Sequence, residues 1–299
     1  MKQEMKRYVK LFEQFIYESG NAIENAVPFK QDQVGPTVDW IVDNIFPSIG
    51  LVGIDDDAAV IGSAGKKLPE QTSGDIDIAV SADKIAGALG VSLDKAVFEL
   101  DKKLKSMGYS TKLVPGFTQV SIGAPIGGDP KNGIGQVDFM LTNDLDWSRF
   151  IYHSPDFRIA ESQYKGAYRN LLLMAAIGKS FFEATKTTDK GEIAEFKAYV
   201  VRLNQGITEV RKSFEGKRGL LKTATLLKDY DKEITRQPQG VVDLLFTGNH
   251  TPDDISTYEK LLGLIDSNEF KYPDKRGEIM ADFKKKLEDS KLPLPTGLE

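Results

Sequence analysis

The sequence predicts an α+β protein: a small mixed β-sheet flanked by helices, followed by a mainly helical second half. Three observations lead there. Short apolar segments alternate with polar residues at period two, most plainly in Asp75-Ile76-Asp77-Ile78 and Val137-Asp138-Phe139-Met140-Leu141. Apolar residues ahead of them recur at helical spacing. Beyond about residue 145 strand signals fade and helical ones dominate.

Met5, Tyr8, Val9, Phe12, Phe15 and Ile16 lie on one helical stripe, so residues 2–18 read as an amphipathic helix ending near Gly20. A second helix is expected after Pro36-Thr37, with Val38, Ile41, Val42, Ile45 and Phe46 as its apolar stripe and Pro47 as its stop. Strands follow at 58–62 and 75–81, joined by a loop rich in Gly, Lys, Pro and Ser, and then a helix at 93–107. Tyr109–Val114, Phe117–Ile122 and Ile134–Leu141 read as later strands. The Gly- and Pro-rich run Gly123–Gly133 reads as a mobile surface loop.

In the second half the expected helices are 161–183, 190–214, 217–233, 238–246, 252–266 and 274–289. Thr251-Pro252-Asp253-Asp254 is a helix start: Thr caps, Pro suits the first position, and acids favour the positive end. The last residues, Leu292–Glu299, read as a frayed tail or a partner-docking extension.

A chain of 299 residues suffices for two lobes. It has no cysteine, which excludes disulfides and thiolate chemistry, and its two histidines, His153 and His250, make a zinc site unexpected. No secretory signal or run of 18 apolar residues is seen, so a cytoplasmic protein without a membrane partner is the expectation. Oligomeric state is not legible. Residues 1–145 carry 14 Lys/Arg against 20 Asp/Glu, whereas residues 146–299 carry 25 against 24. Only the second half offers an acidic substrate a welcoming surface, and Arg211–Lys222 is its densest basic segment, an anchor for phosphates or else a solvated helix face.

The chemistry resides in the strands. On a strand Asp75 and Asp77 share one face, about 7 Å apart along the backbone, while Ile76 and Ile78 face the core. Paired carboxylates drive one another to bind a proton unless a hard cation takes oxygens from both. Asp138 offers a third, on the face of its strand shared with Gln136 and Met140. Two divalent ions about 3.5–4 Å apart serve in-line phosphoryl or nucleotidyl displacement. Asp55-Asp56-Asp57 has no alternating partner and reads as a solvated turn. A P-loop is excluded, because Val60 stands where its glycine is needed and Lys67 where Ser or Thr should be.

Ile61-Gly62-Ser63, eleven intervening residues, then Asp75-Ile76-Asp77-Ile78 resembles the signature of the DNA polymerase β-like nucleotidyltransferases, and Asp138 resembles their third carboxylate. The resemblance covers roughly residues 50–145 and implies a Mg²⁺-dependent transfer of a nucleoside monophosphate from an NTP, with two ions, Mn²⁺ as a substitute and ATP as the expected nucleotide. It implies metal binding and catalysis by Asp75, Asp77 and Asp138, and triphosphate positioning by Gly62 and Ser63. Related enzymes often recruit Lys, Arg or Tyr from a following helical domain, which nominates Lys165, Tyr168 and Arg169. Lys165 and Arg169 would then share a helix face.

On this reading 1–48 is a helical segment packing on the core, 49–145 the nucleotidyltransferase core, and 146–299 a helical substrate- or nucleotide-binding domain. The acceptor is left open among a small molecule, a protein hydroxyl and an RNA end, and a toxin-like enzyme modifying tRNA or protein is one branch among these. The alternative is a catalytically silent nucleotide-binding or assembly protein that keeps the fold.

Overall fold

The computed structural model describes residues 22–113, 119–187, 193–203, 205–215 and 223–298. The amphipathic segment 2–18 lies outside them, as do Val114, Phe117 and residues 216–222 of the basic segment. The chain divides into two compact units, passing from one to the other between Gly166 and Ala167. This is later than the division at residue 145 that the sequence suggests.

The first unit is built on a five-stranded mixed sheet of order β2-β4-β7-β6-β5, made from β2 (Ala58–Ile61), β4 (Asp75–Ser81), β5 (Thr111–Leu113), β6 (Gln119–Pro125) and β7 (Ile134–Thr142). A two-residue ladder pairs β1 (Phe29–Lys30) with β3 (Thr72–Ser73). Only β4 and β7 run parallel; the other pairs of the large sheet are antiparallel. Their crossover carries α3 (Ala82–Leu89) and α4 (Ala96–Ser106).

Alternation divides the residues of the central strands between two faces. Ile76, Ile78, Val80, Val137, Phe139 and Leu141 enter the main core with Val34, Val38 and Ile41 of α1 (Gln31–Asn44) and Leu100 and Leu104 of α4. On the other face Ala59, Ile61 and Ala79 form a smaller cluster with Met140, Leu145 and Tyr152, and α5 (Leu145–Ile151) packs on β2 and β4. The second face is the one that carries the acids.

Helix α1 begins at Gln31, five residues before Pro36, which lies inside it. Gln33 starts it: its Oε1 accepts the Lys30 backbone N–H at 2.9 Å, capping a donor that the first turn leaves open. The helix stops at Asn44, and Pro47 belongs to the following short helix α2 (Phe46–Ile49), which Gly50 closes in the left-handed region. The run 123–133 is not one surface loop: its first residues are buried, while Pro130–Asn132 form an exposed 3₁₀ turn. β6 continues to Pro125, Ile126 is buried, and the Gly127 N–H donates to Thr37 Oγ1 at 2.9 Å.

All but the first residue of α6 (Gly166–Ser180) belong to the second unit, and its Leu171, Leu172, Leu173, Ala175, Ala176 and Ile177 are all buried. A four-stranded antiparallel sheet follows, of order β11-β10-β9-β8: β8 (Glu183–Thr187), β9 (Ile193–Arg202), β10 (Gly206–Glu215) and β11 (Thr223–Thr235). It stands where helices 190–214 and 217–233 were expected. Ile193, Phe196, Tyr199 and Val200 satisfy helical spacing, but β-branched and aromatic residues dominate the segment and Gly206, at φ +80°, turns the chain back so that it pairs with Arg202.

Helices resume after β11 in the chain with α7 (Pro238–Leu245), α8 (Tyr258–Ile265) and α9 (Arg276–Asp289). The fold class is therefore α+β, with helices before and after the second sheet in the chain. Thr251 caps as expected, its N–H and Oγ1 both meeting Asp254 Oδ2, but the turn Pro252–Ile255 is a 3₁₀ turn ahead of α8. The C-terminal run docks on its own unit, with Pro293 O accepting the Tyr168 hydroxyl at 3.1 Å and Pro295 buried. Among the described residues no helix is long and apolar enough to cross a membrane.

Candidate active site

Parallel pairing of β4 with β7 sets Asp77 directly opposite Asp138 and Asp75 opposite Gln136. The alternation that buries Ile76, Ile78, Val137 and Phe139 on one face places all three acids on the other. Asp75, Asp77 and Asp138 each offer a carboxylate oxygen, and these atoms lie within 4.8 Å of one another.

Burial, first, and then the charges of Asp75 and Asp138 push the Asp77 carboxyl well above the ordinary range. Asp138, 1% exposed, is raised to about 7, mainly by burial; the Ser121 hydroxyl and Gln136 amide draw it back and Asp75 pushes it up. Gln136 Nε2 donates to both Asp138 oxygens, at 3.0 and 3.2 Å. Asp77 Oδ1 is buried with no hydrogen bond among the described residues. Three converging carboxylates with an unsatisfied oxygen among them match the needs of a hard divalent cation, which takes oxygen ligands and cancels their repulsion.

Gly62 follows β2, whose Ile61 pairs with Asp77. It adopts φ +71°, and a Cβ there would lie 2.6 Å from Asp77 Oδ2. Its N–H donates to Tyr152 O at 3.1 Å. The absent side chain thus leaves room for the central carboxylate, while the amide is already engaged. Ser63 is half-buried in the following turn, its carbonyl accepting the Lys66 N–H at 3.2 Å.

Lys165 is exposed in the first unit, just ahead of α6, and therefore does not share a helix face with Arg169. Its charge holds down the pKa of Lys67, which burial lowers first and which Asp75 and Asp77 raise in turn. Lys67 thus stands in the field of the acids. Tyr168 and Arg169 belong to the second unit and are buried there, 6% and 1% exposed. Arg169 Nε donates to Ile255 O and Nη1 to Asn170 Oδ1, both at 2.9 Å, and burial lowers its pKa to about 9. Asp57, read from sequence as part of a solvated turn, is buried and accepts the Val52 N–H at 3.0 Å.

Four residues near the acids carried no site role in the sequence reading. Lys67 follows directly on the Gly-Ser turn, and Gln136 lies two residues before Asp138 and so on its face, which makes both findable by alternation and proximity. Ser121 reaches Asp138 only through the β6–β7 register, and Tyr152 reaches Gly62 only through tertiary packing. A cavity of about 290 Å³ adjoins β2, lined by Ile61, Lys66, Arg149, Tyr152 and His153 among others.

No family model and no curated protein matches the chain. Among solved structures it is similar to Leishmania infantum polymerase beta in a ternary gap complex, at 13% identity over 81% of this chain and 73% of that one, with a TM-score of 0.39. A cytoplasmic RNA terminal U-transferase matches at 17% identity and a TM-score of 0.28, and Cid1 in complex with its short product ApU at 18% and 0.26. Each of these two covers 57% of this chain and 48% of its own, so the chain spans about half their length. Likenesses this low carry no inference about activity. In its Gly-Ser turn, Asp-x-Asp strand and third acid the chain resembles the DNA polymerase β-like nucleotidyltransferases, and its own geometry bears the reading that follows.

Proposed function

We propose that the protein is a Mg²⁺-dependent nucleotidyltransferase that moves a nucleoside monophosphate from an NTP, ATP first among them, to a hydroxyl acceptor and releases pyrophosphate. One observation carries the proposal: Asp75, Asp77 and Asp138, from two parallel strands, bring carboxylate oxygens within 4.8 Å of one another beside the Gly62-Ser63 turn.

Asp75 and Asp77 would hold both ions and Asp138 the one nearer the acceptor. When bound, such ions polarise the α-phosphate and stabilise the attacking and leaving oxygens. Ser63 Oγ would hydrogen-bond a phosphate oxygen, and Lys67 and Lys165 would balance the triphosphate charge. The acceptor oxygen attacks the α-phosphorus while its proton passes to an Asp138 carboxylate oxygen. The bond from that phosphorus to the bridging oxygen of the β-phosphate breaks, and pyrophosphate departs with the electron pair. The burial and hydrogen bonds of Tyr168 and Arg169 support packing roles for both within the second unit.

The test is incubation with each α-³²P-labelled NTP, Mg²⁺ and a whole-cell extract, followed by separation of RNA, protein and small molecules. Label in one fraction, absent with Asp77→Ala, supports the proposal and names the acceptor class. Nucleotide binding with no transfer in any fraction favours a silent assembly protein.

A further inference from the structure

Gln136 is fully buried, and its side-chain amide is committed at both ends. Oε1 accepts the backbone N–H groups of Ala22 at 2.7 Å and Ile23 at 3.2 Å, while Nε2 donates to both oxygens of Asp138. The orientation is forced. Backbone N–H groups can only donate, so the end facing them is the carbonyl oxygen, and a flipped amide would set that oxygen against a carboxylate and two donors against two donors.

An NH₂ group that reaches both oxygens of Asp138 sets the tilt of the carboxylate and leaves its other lone pairs for the cluster with Asp75 and Asp77. The segment supplying the two N–H groups is itself tied down. Ile23 is buried, its Cγ2 closing on Gly123 of β6, and the Val27 N–H donates to Ile134 O at the start of β7 at 2.9 Å.

We infer that Gln136 is a positioning residue for the third carboxylate, and that the Ala22–Ile23 backbone holds it in that role, so that docking of this segment sets the metal affinity of the acids. The inference rests on the nucleotidyltransferase reading and adds to it a dependence on a segment more than a hundred residues away in sequence.

The full chain is titrated with Mn²⁺, free ion being followed by electron paramagnetic resonance, alongside a thermal melt of each variant. Gln136→Met should raise the Mn²⁺ Kd about 10-fold or more. Ala22→Pro, which removes one anchoring N–H without touching Gln136 or Asp138, should raise it about several-fold. Asp101→Ala breaks partly buried hydrogen bonds with Lys105 and Thr111 elsewhere in the same unit. It should melt lower yet keep the wild-type Kd, which separates positioning from stability.

Wild-type binding together with an unchanged Kd in Gln136→Met overturns the inference alone. A loss in Gln136→Met with none in Ala22→Pro removes the backbone anchor, and a Gln136→Met that does not fold leaves Ala22→Pro to decide. Wild-type protein that takes up no Mn²⁺ defeats the nucleotidyltransferase reading and this inference with it.

Discussion

Asp77 and Asp138 face each other in register across the one parallel strand pair of the five-stranded sheet. That relationship sets a pH dependence. Asp138 has a folded-state pKa of about 7, above its unfolded value, so the folded chain binds the extra proton between those limits. Metal-free stability should therefore be highest below the unfolded value and fall as pH rises toward 7, by at most about 1.4 kcal/mol per pH unit from this group. Bound Mg²⁺ offsets that loss, so its stabilising effect should be larger at pH 8 than at pH 5. Melting temperatures at both pH values, with and without Mg²⁺, check this; an equal Mg²⁺ shift at both contradicts it.

Replacing the central acid removes repulsion along with function. Asp77→Asn should raise metal-free stability by about 1–2 kcal/mol, abolish the Mg²⁺-induced shift and abolish transfer. Denaturant unfolding with and without Mg²⁺ reads all but the last. A variant less stable than wild type would show that the Asp77 carboxylate is held by favourable contacts.

Gly62→Ala places a Cβ against Asp77 Oδ2 at a backbone conformation that suits glycine. A loss of about 1–3 kcal/mol and weaker Mg²⁺ binding are expected together. Ser63→Ala should leave stability within about 0.5 kcal/mol and raise the KM for NTP. A Gly62→Ala protein with both properties intact would show that the turn has slack.

Arg169→Leu removes the buried hydrogen bonds that Arg169 donates to Ile255 O and Asn170 Oδ1 and should cost about 3 kcal/mol. Tyr168→Phe loses one hydrogen bond to Pro293 O and should cost about 1 kcal/mol with NTP affinity unchanged. Equilibrium unfolding and NTP titration separate the roles. Weakened NTP binding at unchanged stability would restore Tyr168 to the nucleotide site.

The acids were legible because alternation on a strand is local: reading Asp75-Ile76-Asp77-Ile78 is enough to put two carboxylates on one face. Their convergence with Asp138 needs the β4–β7 register, which the apolar pattern around Val137 and Phe139 suggests but pairing alone sets. The hydrogen bond that the Ala22 N–H donates to Gln136 Oε1 had no local signature. In the second unit, Phe196, Tyr199 and Val200 fit a helical period, whereas on a strand Tyr199 falls on the face opposite Phe196 and Val200; the turn at Gly206 together with the β-branched content decides for strands. Pro36 misled because Gln33 caps the helix ahead of it.

The most direct measurement is a crystal structure of the protein with Mn²⁺ and a non-cleavable α,β-methylene analogue of ATP, using anomalous scattering to locate manganese. The account predicts two manganese peaks among the carboxylates of Asp75, Asp77 and Asp138, with the triphosphate over Ser63. Bound nucleotide with no manganese at these three residues would contradict it.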